Sequence, residues 1–250
     1  MNAMAKVCIT PRPAVKKKQS RIDFIEAFDS RYSIVKASTE HLKNECYSLR
    51  YKIYCEERSF ESSENFPEKK EIDAFDAHSD HFLIQDKHSG EYTGTVRLIN
   101  STDGAQKAVL PIERYCSHAF SGEVAPDNFS AGSYAEISRL AVTRPTAILD
   151  KSKITSLVRA EFGYSLCTLA LSYCCLARFT LPDELNHCFT MMEPRLATLL
   201  TRLGIKFQSV GNIIDYHGER APFYWHNSDQ YLALSPEKMD FLQFVKSSVI

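Results

Sequence analysis

Charged residues of both signs recur along this chain at places where a folded protein tolerates them only in pairs. Arg50 lies in an amphipathic stretch, and Glu71, Asp73 and Asp76 fall close together. Arg97 interrupts the apolar run 93–99, and Glu136 and Arg139 interrupt 133–142. Buried charge is costly unless compensated, and a guanidinium does not shed its proton. Arg97 must therefore pair, either with a carboxylate in a structural salt bridge or with a substrate carboxylate or carbonyl through two parallel hydrogen bonds. Three carboxylates facing strand-borne arginines describe a polar cleft suited to an amine. They would set the electrostatics for an amine nucleophile and accept hydrogen bonds from Arg50 and Arg97.

Two other uses of the acidic stretch compete. A metal could be held with His78 and His81, but the spacing lacks the glycine and terminal glutamate of a calcium loop. A plain solvated loop is the other. The cleft without a metal is the reading adopted.

Glu136 and Arg139 pose a geometric problem, because residues three apart on a regular strand point to opposite faces. Both serve one site only if a β-bulge shifts the phase between them. Such a bulge would also free backbone N–H groups able to hold an acyl carbonyl and its developing oxyanion.

The elements that must position these groups read as one α/β domain over 29–250 behind a loose tail, 1–28, with a short helix near 22–28. A strand at 31–36 is followed by a helix capped by Ser38 or Thr39, with Leu42, Cys46, Leu49 and Ile53 as its apolar stripe. Arg50, Tyr54 and Glu57 share a neighbouring face. The acidic segment 56–79 is long for an idle connection. Strands at 81–85 and 93–99 form a hairpin through Lys87–Gly90, a second loop runs over 100–132 with Leu110–Glu113 inside it, and 133–142 is the next strand. A long helix covers about 151–177 and a buried strand 188–192. A helix opens at Pro194 and ends at Gly204. Closing strands are expected at 205–210 and 230–234, then a helix over 236–249. The order β-α-ββ-β-α-β-α-β-β gives a mixed sheet.

Composition narrows the function class. The chain has 250 residues, 44% hydrophobic and 24% charged, enough for a full core. A net charge of −1 gives no global pull toward nucleic acid or an anionic membrane. The Lys16–Lys18 run reads as solvated. The eight cysteines form no CxxC pair and sit in apolar patterns, as free thiols of a reducing cytoplasm do. Cys174, Cys175 and His187 read as core residues on the same ground. The uncharged run 162–177 is too short to span a bilayer. A cytoplasmic protein without stable membrane insertion is expected. The start of the long helix, behind Thr143–Pro145 with Lys151 and Lys153, offers a weak anion signal.

These charged elements, in this order, resemble those of the autoinducer (acyl-homoserine-lactone) synthases and the related N-acyl amino acid synthases of the GNAT fold. The flanking segments 49–61, 73–83, 93–99, 110–113, 135–142, 191–205 and 216–225 are most similar to the exosortase/PEP-CTERM-associated acyltransferases. The resemblance covers roughly 32–234. It matches a helical arginine and following aromatic to Arg50 and Tyr54, the signature E-x-D-x-x-D to Glu71, Asp73 and Asp76, a strand arginine to Arg97, and E-x-x-R to Glu136 and Arg139.

The resemblance implies a three-layer sandwich with a central, mostly antiparallel twisted sheet flanked by helices. It also implies transfer of a fatty acyl group from acyl carrier protein or acyl-CoA to a small amine or amino acid, with no further cofactor. Glu136 or Glu71 would be the base, with Arg97 as a further catalytic residue. Arg50, Tyr54, Phe60, Asp73, Asp76 and Arg139 would shape the amine pocket. Autoinducer synthases carry a tryptophan where Phe60 stands, which argues against S-adenosylmethionine as the amine. The acetyltransferase glycine-rich turn is absent after Val142, which favours a carrier-protein donor, with Arg144, Lys151, Lys153 and Arg159 as docking residues. An autoinducer synthase and a non-catalytic acyl-binding module are the alternatives.

Overall fold

Asp23 opens the first helix by accepting from the amides of Ile25 and Glu26, at 3.0 and 3.1 Å. The computed structural model describes residues 23–143, 154–180, 185–227 and 234–249, by backbone alone at 154–160 and 180. Within α1 (Phe24–Asp29), Phe28 is wholly buried against Tyr32, Phe241 and Phe244. Residues 23–28 thus belong to the domain and not to a tail. The apolar payload of one phenylalanine explains the difference.

β1 (Tyr32–Lys36) leads into α2 (Glu40–Tyr51), capped by Thr39, whose hydroxyl accepts from Leu42 N at 3.3 Å. The helix loosens into a π-helical turn over Lys52–Glu57, a distortion common at functional sites. There follow β2 (Ser79–Asp86), β3 (Tyr92–Asn100), the small hairpin β4 (Thr102–Asp103) and β5 (Gln106–Lys107), α3 (Pro111–Cys116) and β6 (Tyr134–Val142). The second half holds α4 (Ile154–Leu176), β7 (His187–Met192), α5 (Pro194–Leu203), β8 (Gln208–Ser209), β9 (Ile214–Asp215), β10 (Glu219–His226) and α6 (Pro236–Val249). Gly204 closes α5 at φ 99°, the left-handed conformation expected there.

The main sheet runs β1-β2-β3-β6-β7-β10-β8, with β9 on β10. Every neighbouring pair is antiparallel except β6 and β7. On one face, Val96, Leu98, Ala135 and Ile137 pack with Leu169, Tyr173, Phe241 and Leu242 of α4 and α6. On the other, Leu49 and Ile53 pack with Leu83 and Ala141. The expected three-layer sandwich is present. At Gly94 a Cβ would lie 2.9 Å from Leu171, so α4 approaches β3 more closely than a side chain would allow.

The stretch 161–179, at 19 residues, is long and apolar enough to cross a bilayer, contrary to the reading of the shorter run 162–177. Since 72% of it is buried inside the fold, it is a core helix.

Two element assignments change: the strand expected at 205–210 shrinks to Gln208–Ser209, and the strand beside β7 is β10. The strand expected at 230–234 lies almost wholly outside the described residues. Pro222 within β10 argues against a strand on sequence grounds, yet its carbonyl still accepts from Val210 N at 3.1 Å. The loop 100–132 is less idle than its composition suggests, because it carries α3.

Candidate active site

Helix α2 and strand β3 each aim an arginine at the acidic segment between them. Arg50 donates to both oxygens of Asp76, at 2.7 and 3.1 Å, and through Nε to Glu71. Arg97 donates through Nη1 to Asp73 at 2.6 Å and Asp76 at 2.7 Å, and through Nε to Ser138 Oγ at 3.0 Å. Arg139 donates through Nη2 to Glu71 at 2.9 Å and to Asp73 at 3.3 Å. Backbone amides finish the lattice: Asp73 N donates to Asp76 at 2.9 Å and Phe75 N to Asp73 at 2.9 Å. Three arginines thus meet three carboxylates.

The charges follow from this matching. Burial pushes the Glu71 carboxyl up, but Arg50 and Arg139 outweigh it and hold the group at about 2. Asp76 is held well below the usual carboxylate range in the same way, against the same burial. Burial drives His81, which packs beside Asp76, down to about 4, so its ring is neutral. All three acids being engaged by arginines, no group of three or more His, Cys, Asp and Glu among the described residues is arranged to hold a metal ion.

The bulge that Glu136 and Arg139 require is there. Ile99 faces Glu136 and Arg97 faces Ser138, but Thr95 faces Ala141, so β6 spends one extra residue between the last two pairings. Arg139 sits in this bulge at φ 53°. A left-handed backbone costs a non-glycine residue roughly 1–2 kcal/mol, offset here by its hydrogen bonds to Glu71 and Asp73. Cross-strand partners share a face, which puts Glu136 on the same side of the sheet as Arg97.

Glu136 differs from its acidic neighbours. It is only 3% exposed, and among the described residues it forms no salt bridge and accepts one hydrogen bond, from Ile112 N of α3 at 2.8 Å. Burial pushes its carboxyl up to about 7, while the Ile112 amide and the charges of Arg97 and Arg139 pull it down.

This carboxyl stands at a fork. β6 and β7 pair from Tyr134↔His187 to Glu136↔Phe189 and no further. Beyond that point a cavity of about 370 Å³ opens between them, lined by 136–142 of β6 and by 190–192 of β7 with Glu193. Around Phe60 the lining gathers Tyr54, Glu61, His217 and Arg220. Tyr164, Leu196, Leu199, Leu200 and Phe207 supply apolar lining, and Arg58 and Arg195 line the cavity as well. Among the described strands, the edge of β6 beyond Glu136 has no partner on this side, and residues 137–142 there line the cavity.

Of the residues singled out from sequence, Glu136, Arg139, Tyr54 and Phe60 line the cavity, while Glu71, Arg97, Arg50, Asp73 and Asp76 form the ionic wall behind Arg139. Arg144, Lys151 and Lys153 lie outside the described residues, and Arg159 falls on the part of α4 described by backbone alone. The sequence reading missed the Ile112 amide, since a backbone donor carries no residue-type signal. It also missed Glu61, Tyr216, His217 and Arg220. The seven cysteines at 46, 55, 116, 167, 174, 175 and 188 are free and buried.

Residues 49–146 match a family described as the acetyltransferase (GNAT) domain. The chain has the mixed α/β fold of the GNAT domain. The GNAT match runs from the end of α2 past the end of β6, and so takes in Arg50, the acidic segment, Arg97 and the bulge. Among solved structures, the AHL synthase LasI is 20% identical with a TM-score of 0.58, over 82% of this chain and 95% of that one. BjaI, a CoA-dependent acyl-homoserine lactone synthase solved with SAM and isopentyl-CoA, is 16% identical with a TM-score of 0.54, over 87% and 89%. FeeM, an N-acyl amino acid synthase from uncultured soil microbes, is 17% identical with a TM-score of 0.51, over 80% and 92%. No curated protein matches the chain in sequence.

Proposed function

We propose that this protein moves a fatty acyl group from a thioester donor, acyl carrier protein or acyl-CoA, onto the nitrogen of a small amine. The observation that carries the reading is Glu136: a carboxyl without a counter-ion, raised to about 7, at the fork where the cavity begins. A general base works best when its pKa lies near the working pH. Glu136 takes a proton from the incoming ammonium, and the freed lone pair attacks the thioester carbonyl carbon. The oxyanion that forms is held by N–H groups along the unpartnered edge of β6. It then collapses, the C–S bond breaks, and the thiol leaves with a proton. Atoms and charge balance as amide plus thiol.

In this reading Glu71 is no base, because two arginines hold it at about 2. It positions Arg139 in the bulge, and Arg50 and Arg97 fix the acids that do so. The acyl chain lies toward Leu196, Leu199 and Phe207. We place the protein in the cytoplasm, on the exosortase-associated branch, with acyl carrier protein as the favoured donor and the basic residues Arg144, Lys151, Lys153 and Arg159 as its docking site. The ring of Phe60, which cannot donate a hydrogen bond, favours an amine other than S-adenosylmethionine.

Thiol release and mass spectrometry of the product, with acyl carrier protein and CoA thioesters and a panel of amines, test this. An amide product supports the reading. Methylthioadenosine from S-adenosylmethionine would make the protein an autoinducer synthase, and binding without turnover would make it an acyl-binding module.

A further inference from the structure

The first turn of α3 meets β6 twice, at residues two apart. Tyr134 and Glu136 point to one side of their strand, and α3 bonds both. Tyr134 donates its hydroxyl hydrogen to Glu113 Oε1 at 2.9 Å, and Glu136 accepts from Ile112 N at 2.8 Å. The other oxygen of Glu113 turns back to the start of its own helix and accepts from Leu110 N at 2.7 Å, the reach of a glutamate at the third helical position. Pro111 lies between and carries no N–H. The opening amides of a helix have no intrahelical acceptor, so Ile112 N–H must find its partner outside. With Leu110 held by Glu113, that amide is aimed at Glu136. Leu110, Ile112 and Tyr134 are buried in one apolar cluster with Phe189, and Lys107 Nζ lies 3.3 Å from Glu113 Oε1. One carboxylate thus ties the helix start to the strand two residues before the base.

We propose that Glu113 is a positioning residue: by bridging Leu110 N and the Tyr134 hydroxyl, it keeps the Ile112 amide on the Glu136 carboxyl. This rests on the reading of Glu136 as the base and adds to it the device that tunes that base. An amide N–H aimed at a carboxyl favours its ionised form. The titratable and charged groups around Glu136 come from several elements: Arg97 on β3, Arg139 on β6, Asp73 in the acidic segment, Cys116 on α3, Cys188 on β7 and Tyr216 before β10. Glu113 bonds none of them and does not line the cavity, so it acts through the Ile112 amide.

The test is the pH profile of kcat/KM for thiol release in Glu113→Ala and Tyr134→Phe beside wild type. A hydrogen bond to a charged group shifts a carboxyl by roughly one pH unit. In Glu113→Ala the limb expected near 7 should therefore move up by about that much. The loss at pH 7 should be roughly fivefold and shrink as pH rises. The direction is diagnostic, because deleting a negative charge nearby would by itself move the limb down. Tyr134→Phe changes no charge and breaks one tether of the two, so its limb should rise by roughly half a unit. It also decides the matter if the alanine variant fails to fold. In a Glu136→Gln background Glu113→Ala should cost little further, since nothing is left to position. A limb that stays in place or moves down in Tyr134→Phe and in folded Glu113→Ala, or a full second loss in that background, overturns the positioning role and leaves Glu136 as the base. A wild-type profile without the limb overturns both.

Discussion

Glu71 and Glu136 are two glutamates on one side of one sheet, 1% and 3% exposed, and they carry opposite electrostatic fates. Glu71 faces Arg50 and Arg139 and is held at about 2; Glu136 faces a single backbone amide and rises to about 7. Burial costs each of them charge, so the difference lies in the counter-ions. A sealed lattice of matched charges sits next to a fork where one acid is left without a match. The lattice can give rigidity and the fork can exchange a proton. Neither could do the other's work.

The comparison breaks most violently at Arg50. Arg50→Ala strips the shared partner from Glu71 and Asp76, and leaving buried charge uncompensated costs about 3–5 kcal/mol. Urea unfolding should show a loss of that size, or no folded protein at all. Fully retained stability would mean that the lattice is not what holds the acidic segment.

Next comes Glu136→Gln. Acyl transfer should drop by roughly 100-fold or more, while the protein becomes more stable at pH 8. The sign follows from linkage: a carboxyl raised from 4.5 to about 7 favours folding at low pH, and this contribution is lost as pH rises through 7. Replacing it by a neutral amide removes a penalty of about 3 kcal/mol at high pH. Thermal melts of both proteins at pH 5 and pH 8 check this, with a gain confined to the higher pH. Glu71 and Asp76 pull the other way. Their contribution is present above their ordinary values of 4.5 and 3.8 and is lost as pH falls through the depressed ones, so acid unfolding should set in below about pH 4.5.

The smallest effect concerns the apolar lining of the cavity. Leu199→Trp adds bulk where the acyl chain is placed, and should shift preference toward shorter donors by roughly tenfold, without moving the pH profile. An unchanged chain-length series would put the chain elsewhere.

Much of this contrast was legible in the sequence, though unevenly. Arg97 between Val96 and Leu98 announces a buried pair, and the spacing of Glu136 and Arg139 makes a shared site conditional on the bulge that the strand register then displays. The pairing of Arg50 with the acids also follows from charge and cost alone. What could not be read was which glutamate stays unmatched. That depends on Ile112, whose amide reaches Glu136 from a helix inside an apparently loose loop, and on the parting of β6 from β7. Both are tertiary facts without a residue-type signature. Arg220 escaped for a related reason: Pro222 hides its strand, and its partners are carbonyls, which any residue supplies.

The most direct test is the pH dependence of kcat/KM for thiol release between pH 5.5 and 8.5, wild type beside Glu136→Gln. Wild type should rise about tenfold per pH unit and level off near 7, and the variant's residual rate should lack that limb. A flat wild-type profile, or the same limb in the variant, would contradict the assignment of Glu136 as the base.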